Sequence, residues 1–302
     1  MYPDYLFQLK IGETVIGPTM YGVMIAVGLL ACFFVLFYYA KKLNYNPTFI
    51  DFLFYIGIGA IAIGFFFAAL FQAFYNYLET GVFEFGSGIT FLGGLIGGAG
   101  SFLALYFIFR KKYNTRLCEV VSYLPCCILI AHAFGRIGCL FGGCCHGAFK
   151  GTEYVFGTIK MYGDMGLGYY VPAQLYEALF LFVMFAVITF LVFKYDFKHG
   201  LSVYLGSYGI WRFIIEFFRA DHRGEFVGSL TPSQFWSLIM IPLAVGVYFL
   251  QNYMLKKRAE ELAVAGAKAQ AEAKTEEAVE EAKEEVAEQP TEEVTEENVT
   301  NE

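Results

Sequence analysis

The chain has 302 residues, of which 57% are hydrophobic and 16% are charged, and its mean hydropathy is +0.52. This composition excludes an ordinary soluble domain and indicates an integral membrane protein. The formal net charge of −7 arises in residues 259–302, where fifteen glutamates against three lysines give −12. Residues 1–258 therefore carry +5, which is too small an excess to indicate a nucleic-acid partner.

Seven apolar segments are each long enough to cross about 30 Å of hydrocarbon, which takes about 20 helical residues. They predict an all-α integral membrane protein with about seven transmembrane helices, near residues 18–40, 49–77, 88–110, 117–141, 172–195, 200–220 and 233–255. We expect residues 1–258 to form the membrane domain. We expect residues 259–302 to form an acidic, Ala- and Glu-rich tail that is disordered or loosely helical.

The lysines and arginines of the connections predict the orientation of the helices. One set of helix ends carries eleven of them: Lys41, Lys42, Arg110, Lys111, Lys112, Arg116, Lys194, Lys198, Lys256, Lys257 and Arg258. The opposite set carries five: Lys10, Lys150, Lys160, Arg219 and Arg223. We therefore expect the N-terminus outside the cell and the C-terminal tail in the cytoplasm.

Polar residues interrupt the apolar segments near their predicted outer ends. In the fourth segment they stand at i, i+4 and i+7 and share one helical face: His132, Arg136 and Cys139. In the sixth segment they stand at i, i+4, i+8 and i+11: Tyr208, Arg212, Glu216 and Arg219. Further polar residues open the first and fifth segments: Tyr21, Gln174 and Glu177. These helices are expected to direct their polar groups toward one outward-facing region.

Three arginines in this region face two glutamates, so an excess of positive charge remains for a bound anion. An arginine within a membrane helix costs roughly 2.5–3.5 kcal/mol and normally faces the bundle interior with an anionic partner. Guanidinium groups suit phosphate, which predicts a pocket for a lipid phosphate. Structural ion pairing of Arg136 and Arg212 and an interfacial position of Arg219 remain alternatives.

The stretch GRIGCLFGGCCHG at residues 135–147 holds three cysteines and a histidine. Cys139, Cys144, Cys145 and His146 lack the C-x₂-C spacing of structural zinc sites, so no metal is expected there. A structural disulfide among the three cysteines stays open, since the stretch is predicted on the outer side.

The segment FLGGLIGGAG places Gly93 and Gly97, and Gly94 and Gly98, at four-residue spacing. Small residues at this spacing allow two membrane helices to approach closely. The glycines therefore predict helix packing and say little about function.

Five ordered motifs resemble those of the prolipoprotein diacylglyceryl transferase family. They are MYGVM at 20–24, GGLIGG at 93–98, GRIGCLFGGCCHG at 135–147, PAQLYE at 172–177 and YGIWRFIIEFFR at 208–219. The resemblance covers the whole membrane region, about residues 18–255. It implies transfer of a diacylglyceryl group from phosphatidylglycerol to the lipobox cysteine of a preprolipoprotein, with release of glycerol 1-phosphate.

The resemblance also implies the site, the partners and the location. The implied catalytic residues are Arg136, Arg212 and Tyr21, and we add His132 as a hypothesis. The implied substrate-binding residues are Arg136, Gly138, Cys139, Gly147, Gln174, Tyr176, Glu177, Tyr208, Glu216 and Arg219. The partners would be phosphatidylglycerol, preprolipoprotein signal peptides and membrane lipids. No cofactor or metal is implied, and the active site would face outward from the bacterial cytoplasmic membrane.

Three positions depart from the family pattern, and each lacks an expected polar group. Leu92 stands in place of a histidine, Cys139 in place of an asparagine, and Cys144 in place of an acidic residue. His132, one turn before Arg136, is a candidate to replace the missing base. The alternative for His132 is a histidine that only packs between helices, and His146 is a weaker candidate.

Two other classes of protein would use the same residues differently. A transporter or non-catalytic protein could bind an anionic lipid or solute through the arginines, although no internal repeat typical of transporters is present. A thiol oxidoreductase could use the three clustered cysteines, although no C-x-x-C pair accompanies them.

Overall fold

The computed structural model describes residues 6, 9–11, 14–85, 88, 90–113, 116–219 and 230–287. Eight α-helices lie in these residues: α1 (Met20–Lys42), α2 (Pro47–Thr80), α3 (Phe91–Phe109), α4 (Leu117–Val120), α5 (Leu124–Gly142), α6 (Ala173–Tyr195), α7 (Gly200–Ile215) and α8 (Pro232–Ala287). The strands are short: β1 (Leu9–Ile11), β2 (Thr14–Ile16), β3 (Phe149–Gly151), β4 (Ile159–Gly163) and β5 (Gly166–Tyr170). The predicted all-α membrane class is confirmed.

Six helices in the described part of the chain are long and apolar enough to cross a membrane. They correspond to the predicted segments except the one at 200–220, where α7 has 16 residues. A turn of 3₁₀ helix at Glu216–Phe218 follows α7 directly. Arg219 then adopts extended backbone, so this segment is shorter than predicted. The predicted Arg223 lies outside the described residues.

The predicted helix at 117–141 consists of two helices. The first, α4, is a single turn, and α5 begins at Leu124 after a turn at residues 121–123. Pro125 lies in the first turn of α5, where its missing N–H has no helical partner to lose. The helix ends at Gly142, and Gly143 caps it with a positive φ of 68°.

Helices α2 and α3 pack with their backbones in close contact. A side chain on Gly97 would place its Cβ 2.5 Å from Phe67 Cβ, and one on Gly93 would lie 2.6 Å from the Phe67 carbonyl oxygen. A Cβ on Gly64 of α2 would lie 3.2 Å from both the Gly94 oxygen and the Gly98 Cα. The prediction that these glycines serve close helix packing is confirmed.

Helix α5, which carries the predicted site residues, packs against α1 in the same manner. A Cβ on Gly28 of α1 would lie 3.0 Å from Phe134 Cβ, and one on Gly138 of α5 would lie 3.2 Å from Tyr21. Ala133 of α5 is fully buried in the core cluster that α1, α2, α5 and α6 share. This packing holds the polar face of α5 beside α1.

A three-stranded antiparallel sheet in the order β3-β5-β4 lies between α5 and α6 in the sequence. The Gly147 N–H donates to the Val171 oxygen at 2.7 Å, and Gly147 forms an antiparallel bridge with Arg219. A Cβ on Gly147 would lie 2.8 Å from Val171 Cβ, so only glycine fits between the two segments. The backbone after α5 is thereby fixed to the end of α7.

The chain divides into two compact units, residues 1–251 and 252–302. Helix α8 runs through the division, and its residues 252–287 are helical. In the second unit Arg258 pairs with Glu261 at 3.5 Å and Lys268 pairs with Glu272 at 3.8 Å. Residues 288–302 of the predicted acidic tail lie outside the described residues.

Candidate active site

Glu177, in the first turns of α6, is the centre of the polar cluster. Its side chain is 1% exposed, and its Oε1 lies 3.1 Å from Arg136 Nη2. The Tyr208 hydroxyl donates to the same oxygen at 2.7 Å. Helices α5, α6 and α7 each contribute one of these groups, so the buried carboxylate joins three helices.

Arg212 of α7 lies between two carboxylates. Its Nη1 is 3.8 Å from Glu177 Oε2, and its Nη2 is 3.0 Å from Glu216 Oε2. The Arg212–Glu216 pair follows from the i, i+4 spacing along one helical face. The second carboxylate reaches Arg212 only because α6 packs beside α7.

Arg219 completes the cluster at the end of the 3₁₀ turn. Its Nε lies 3.8 Å from Glu216 Oε2, and its side chain is 2% exposed, which contradicts an interfacial position extending away from the protein. The side chains thus alternate in charge in the order Arg136, Glu177, Arg212, Glu216 and Arg219, which we call the arginine–glutamate chain. Three positive and two negative charges leave it with a net charge of +1.

The exposed part of the arginine–glutamate chain is the end formed by Arg136. Its side chain is 18% exposed, against 10% for Arg212 and 4% or less for the other three. Arg136 Nη2 lies 3.5 Å from the Tyr208 oxygen in addition to its pair with Glu177. A buried cationic group that is accessible at one end suits an anion better than a cation.

His132 lies one turn before Arg136 on α5 and contacts α7. Its Nδ1 is 3.3 Å from the Tyr204 hydroxyl, and its ring meets the Tyr208 ring edge-on with centroids 4.9 Å apart. Because Tyr208 also bonds Glu177, the histidine adjoins the arginine–glutamate chain through one tyrosine. The structure thus places the predicted His132 within this cluster.

Tyr21, Gly138 and Cys139 occupy the contact between α1 and α5. The ring and backbone oxygen of Tyr21 each approach within 3.2 Å of where a Cβ on Gly138 would lie. Gly138 is therefore required for the close approach of the helices, whatever else it does. Cys139 follows it on the face that carries Arg136.

Gln174 and Tyr176 contact the segment between α5 and α6. Gln174 Nε2 donates to the Cys144 carbonyl oxygen at 2.9 Å, and the Tyr176 hydroxyl donates to the Gly157 carbonyl oxygen at 2.8 Å. Gly147 holds the same segment against Arg219. These three predicted binding residues position the loop rather than extend the arginine–glutamate chain.

Three further residues belong to the cluster but were not predicted. Ser233 accepts from Arg212 Nη2 at 2.8 Å, and the Thr231 hydroxyl donates to Glu216 Oε1 at 3.0 Å. Both belong to the TPS segment that begins α8, where the sequence indicated only a helix start. Tyr204 stands one turn before Tyr208, so continuing the i, i+4 pattern backward would have found it.

The three cysteines near the end of α5 are free thiols, and their sulfurs lie within 4.8 Å of one another. His146 is directed elsewhere: its Nδ1 lies 3.0 Å from the Gly147 carbonyl oxygen, and its Nε2 accepts from the Asp164 N–H at 3.3 Å. His146 therefore supports the loop at the sheet.

Comparison with known proteins agrees with the motifs. The sequence model of the family described as prolipoprotein diacylglyceryl transferase matches residues 7–250. A phosphatidylglycerol–prolipoprotein diacylglyceryl transferase of Clostridium tetani is 30% identical over 240 residues, covering 77% of this chain and 93% of the relative. Relatives of the same name from Dehalococcoides mccartyi and a Marinomonas species are 29% and 30% identical, covering 80% and 77% of this chain and 92% and 89% of each relative.

Proposed function

The chain belongs to the prolipoprotein diacylglyceryl transferase family, and from this premise we propose that it transfers a diacylglyceryl group from phosphatidylglycerol to the cysteine thiol of a prolipoprotein. The observation that carries this proposal is the arginine–glutamate chain, a buried cluster with a net charge of +1 and one accessible end at Arg136. A phosphate ester of a membrane lipid is an anion that reaches such a site from within the bilayer.

The reaction requires one bond to form and one to break at the same glyceryl carbon. The thiol sulfur attacks this carbon, and the carbon–oxygen bond to the phosphate breaks. The electron pair of that bond leaves with glycerol 1-phosphate, and the thiol proton must pass to a base. Negative charge therefore grows on the phosphate as the reaction proceeds.

Two arginines of the arginine–glutamate chain, Arg136 and Arg212, suit this charge. Arg136 would bind the phosphate in the ground state because it is the most exposed cation of the cluster. Arg212, held by Glu177, Glu216 and Ser233, would add a fixed positive charge nearby. Charges that are oriented in advance stabilise a leaving anion without reorganising during the reaction.

His132 is our candidate for the base that takes the thiol proton. If Nδ1–H donates to the Tyr204 oxygen, Nε2 keeps a lone pair that can accept a proton. The position of His132 one turn from Arg136 would bring the thiol near the glyceryl carbon of the bound lipid. Tyr21, on the other side of α5, would line the site where α1 approaches.

We place the site toward the outer face of the bacterial cytoplasmic membrane. This orientation rests on the eleven basic residues at the helix ends opposite the site, which favour the cytoplasmic side. It puts the arginine–glutamate chain where a prolipoprotein signal peptide presents its cysteine after translocation. Phosphatidylglycerol would enter laterally from the surrounding lipid.

The test is to incubate the purified chain in phosphatidylglycerol vesicles with a lipobox peptide and to measure both products. We expect diacylglyceryl-peptide and glycerol phosphate in equal amounts. A peptide with serine in place of the lipobox cysteine is the matched control and should yield neither. Failure to form either product from the cysteine peptide would refute the proposed function.

A further inference from the structure

The three cysteines near the end of α5 are brought together by the backbone. Cys139 is in the last turn of α5, and the Cys144 N–H donates to the Cys139 carbonyl oxygen at 3.2 Å. Gly143 at φ 68° and Cys145 at φ 60° reverse the chain. A positive φ is unfavourable for a cysteine, so the surrounding structure must hold Cys145 in place.

This arrangement is anchored from two sides. The carbonyl oxygen of Cys144 accepts from the buried Gln174 of α6 at 2.9 Å. The next segment is fixed by Gly147, which pairs with Val171 and bridges to Arg219. The loop that carries the three sulfurs, which lie within 4.8 Å of one another, is thus held by contacts with α6, Val171 and Arg219.

We propose that Cys139, Cys144 and Cys145 form a three-sulfur site for a soft metal ion, with Cu(I) as the ion that fits best. Thiolates select soft ions, and three sulfurs at about 2.3 Å from one ion stand about 4 Å apart. The observed mutual separations of the sulfurs lie within 4.8 Å, so small side-chain rotations suffice.

The fold also explains why three ligands are preferred over four. His146, the nearest histidine in the sequence, has Nδ1 at 3.0 Å from the Gly147 carbonyl oxygen and Nε2 bonded to the Asp164 N–H. Structural zinc takes four protein ligands, whereas Cu(I) accepts three sulfurs in a plane. In the described part of the chain, the group close enough to share one ion comprises the three cysteines alone.

Binding of Cu(I) would change the charge of the three-sulfur site. Each thiol that binds releases its proton, and copper stays in the +1 state throughout. Three thiolates around Cu(I) carry −2, and Arg219, whose backbone bridges to this loop at Gly147, would partly offset that charge.

The experiment is a titration of the full chain, purified and reduced without oxygen, with Cu(I) in competition with the coloured chelator bicinchoninate. We expect one Cu(I) per chain, and a loss of affinity of about 100-fold or more in each of Cys139→Ser, Cys144→Ser and Cys145→Ser. Cys32→Ser, which removes a thiol of α1, is the matched control and should bind as the wild type does. Equal binding by all four variants, or none by the wild type, would overturn the proposal.

X-ray absorption of the copper-loaded wild type keeps the proposal testable if a variant fails to fold. Three Cu–S distances of about 2.3 Å would support it. Coordination dominated by nitrogen or oxygen would overturn it. An intact mass 2 Da below that of the reduced chain after anaerobic isolation would likewise overturn it, because two of the sulfurs would then be joined in a disulfide.

Discussion

Two helix interfaces of this protein are held together by different kinds of interaction. Helices α2 and α3 meet through glycines whose missing side chains let the backbones touch, as at Gly64 and Gly97. Helices α5, α6 and α7 meet through Arg136, Glu177 and Arg212, whose charges are buried. In lipid, packing alone can hold two helices together, so the α2–α3 interface needs no charge.

The difference between the charged and the uncharged interface indicates which of them serves the reaction. Buried charges cost free energy even when paired, and replacing such a pair by apolar residues is often neutral or stabilising. The α2–α3 interface shows that apolar packing was available to this chain. The charges between α5, α6 and α7 are therefore best explained by a ligand.

The largest effect is expected from Glu177→Leu. Arg136 and Arg212 would lose the carboxylate they share, which should lower the free energy of unfolding by about 3–5 kcal/mol. Thermal and denaturant unfolding in detergent would measure this loss. Glu153→Leu, at an exposed loop position, is the control and should change stability by less than about 0.5 kcal/mol. Similar stabilities of the two variants would show that the arginines do not depend on Glu177.

A smaller effect, on the rate of transfer and not on stability, is expected from His132→Gln. If His132 is the base, transfer to the lipobox peptide should fall about 100-fold, equivalent to about 2.7 kcal/mol. The loss should shrink as the pH is raised, because the thiol then ionises without help. His199→Gln, between α6 and α7, should leave the rate unchanged. A normal rate and pH profile of the His132→Gln enzyme would show that His132 serves in helix packing and is not the base.

At the uncharged interface between α2 and α3, Gly97→Val should lower the free energy of unfolding. The new side chain would clash with Phe67 and force the helices apart, at a cost of about 1–3 kcal/mol. Gly100→Val on the same helix is the matched control, because nothing lies within 4 Å of its Cβ position. Unfolding of both variants in the same detergent gives the comparison. If the two melt alike, close packing does not hold α2 and α3 together.

The smallest effect is expected from Ser233→Ala. Arg212 would lose one hydrogen bond of 2.8 Å but keep both carboxylates, so the catalytic efficiency with phosphatidylglycerol should fall about five-fold, or about 1 kcal/mol. Ser101→Ala in α3, which removes a hydroxyl that donates to the Gly98 carbonyl oxygen of its own helix, should have no effect. A rate equal to that of the wild type would mean that Ser233 does not orient Arg212.

Much of this architecture follows from local patterns in the sequence. Hydrophobic length located six of the membrane helices, and small-residue spacing indicated that α3 packs closely against another helix. The i, i+4 spacing of Arg212 and Glu216 indicated their pairing. These features depend on residues that are close in sequence. Periodicity is therefore enough to find them.

The remaining features depend on contacts between distant segments. Glu177 meets Arg212 only through the packing of α6 on α7, and Gly147 meets Arg219 across 72 positions. The three sulfurs converge because Cys145 adopts a positive φ, which its residue type does not favour. The break before α5 lies at the turn of residues 121–123, which a hydrophobicity count does not detect.

The most direct test of phosphate binding by Arg136 is the rate of diacylglyceryl transfer from phosphatidylglycerol by Arg136→Lys, measured against lipid concentration. Lysine keeps the charge but loses the planar fork that binds two phosphate oxygens. If Arg136 binds the lipid phosphate, the catalytic efficiency of Arg136→Lys should be about 100-fold below that of the wild type. Arg110→Lys, outside the cluster, should be as active as the wild type. An Arg136→Lys enzyme that uses phosphatidylglycerol as well as the wild type does would contradict the claim that this arginine binds the lipid phosphate.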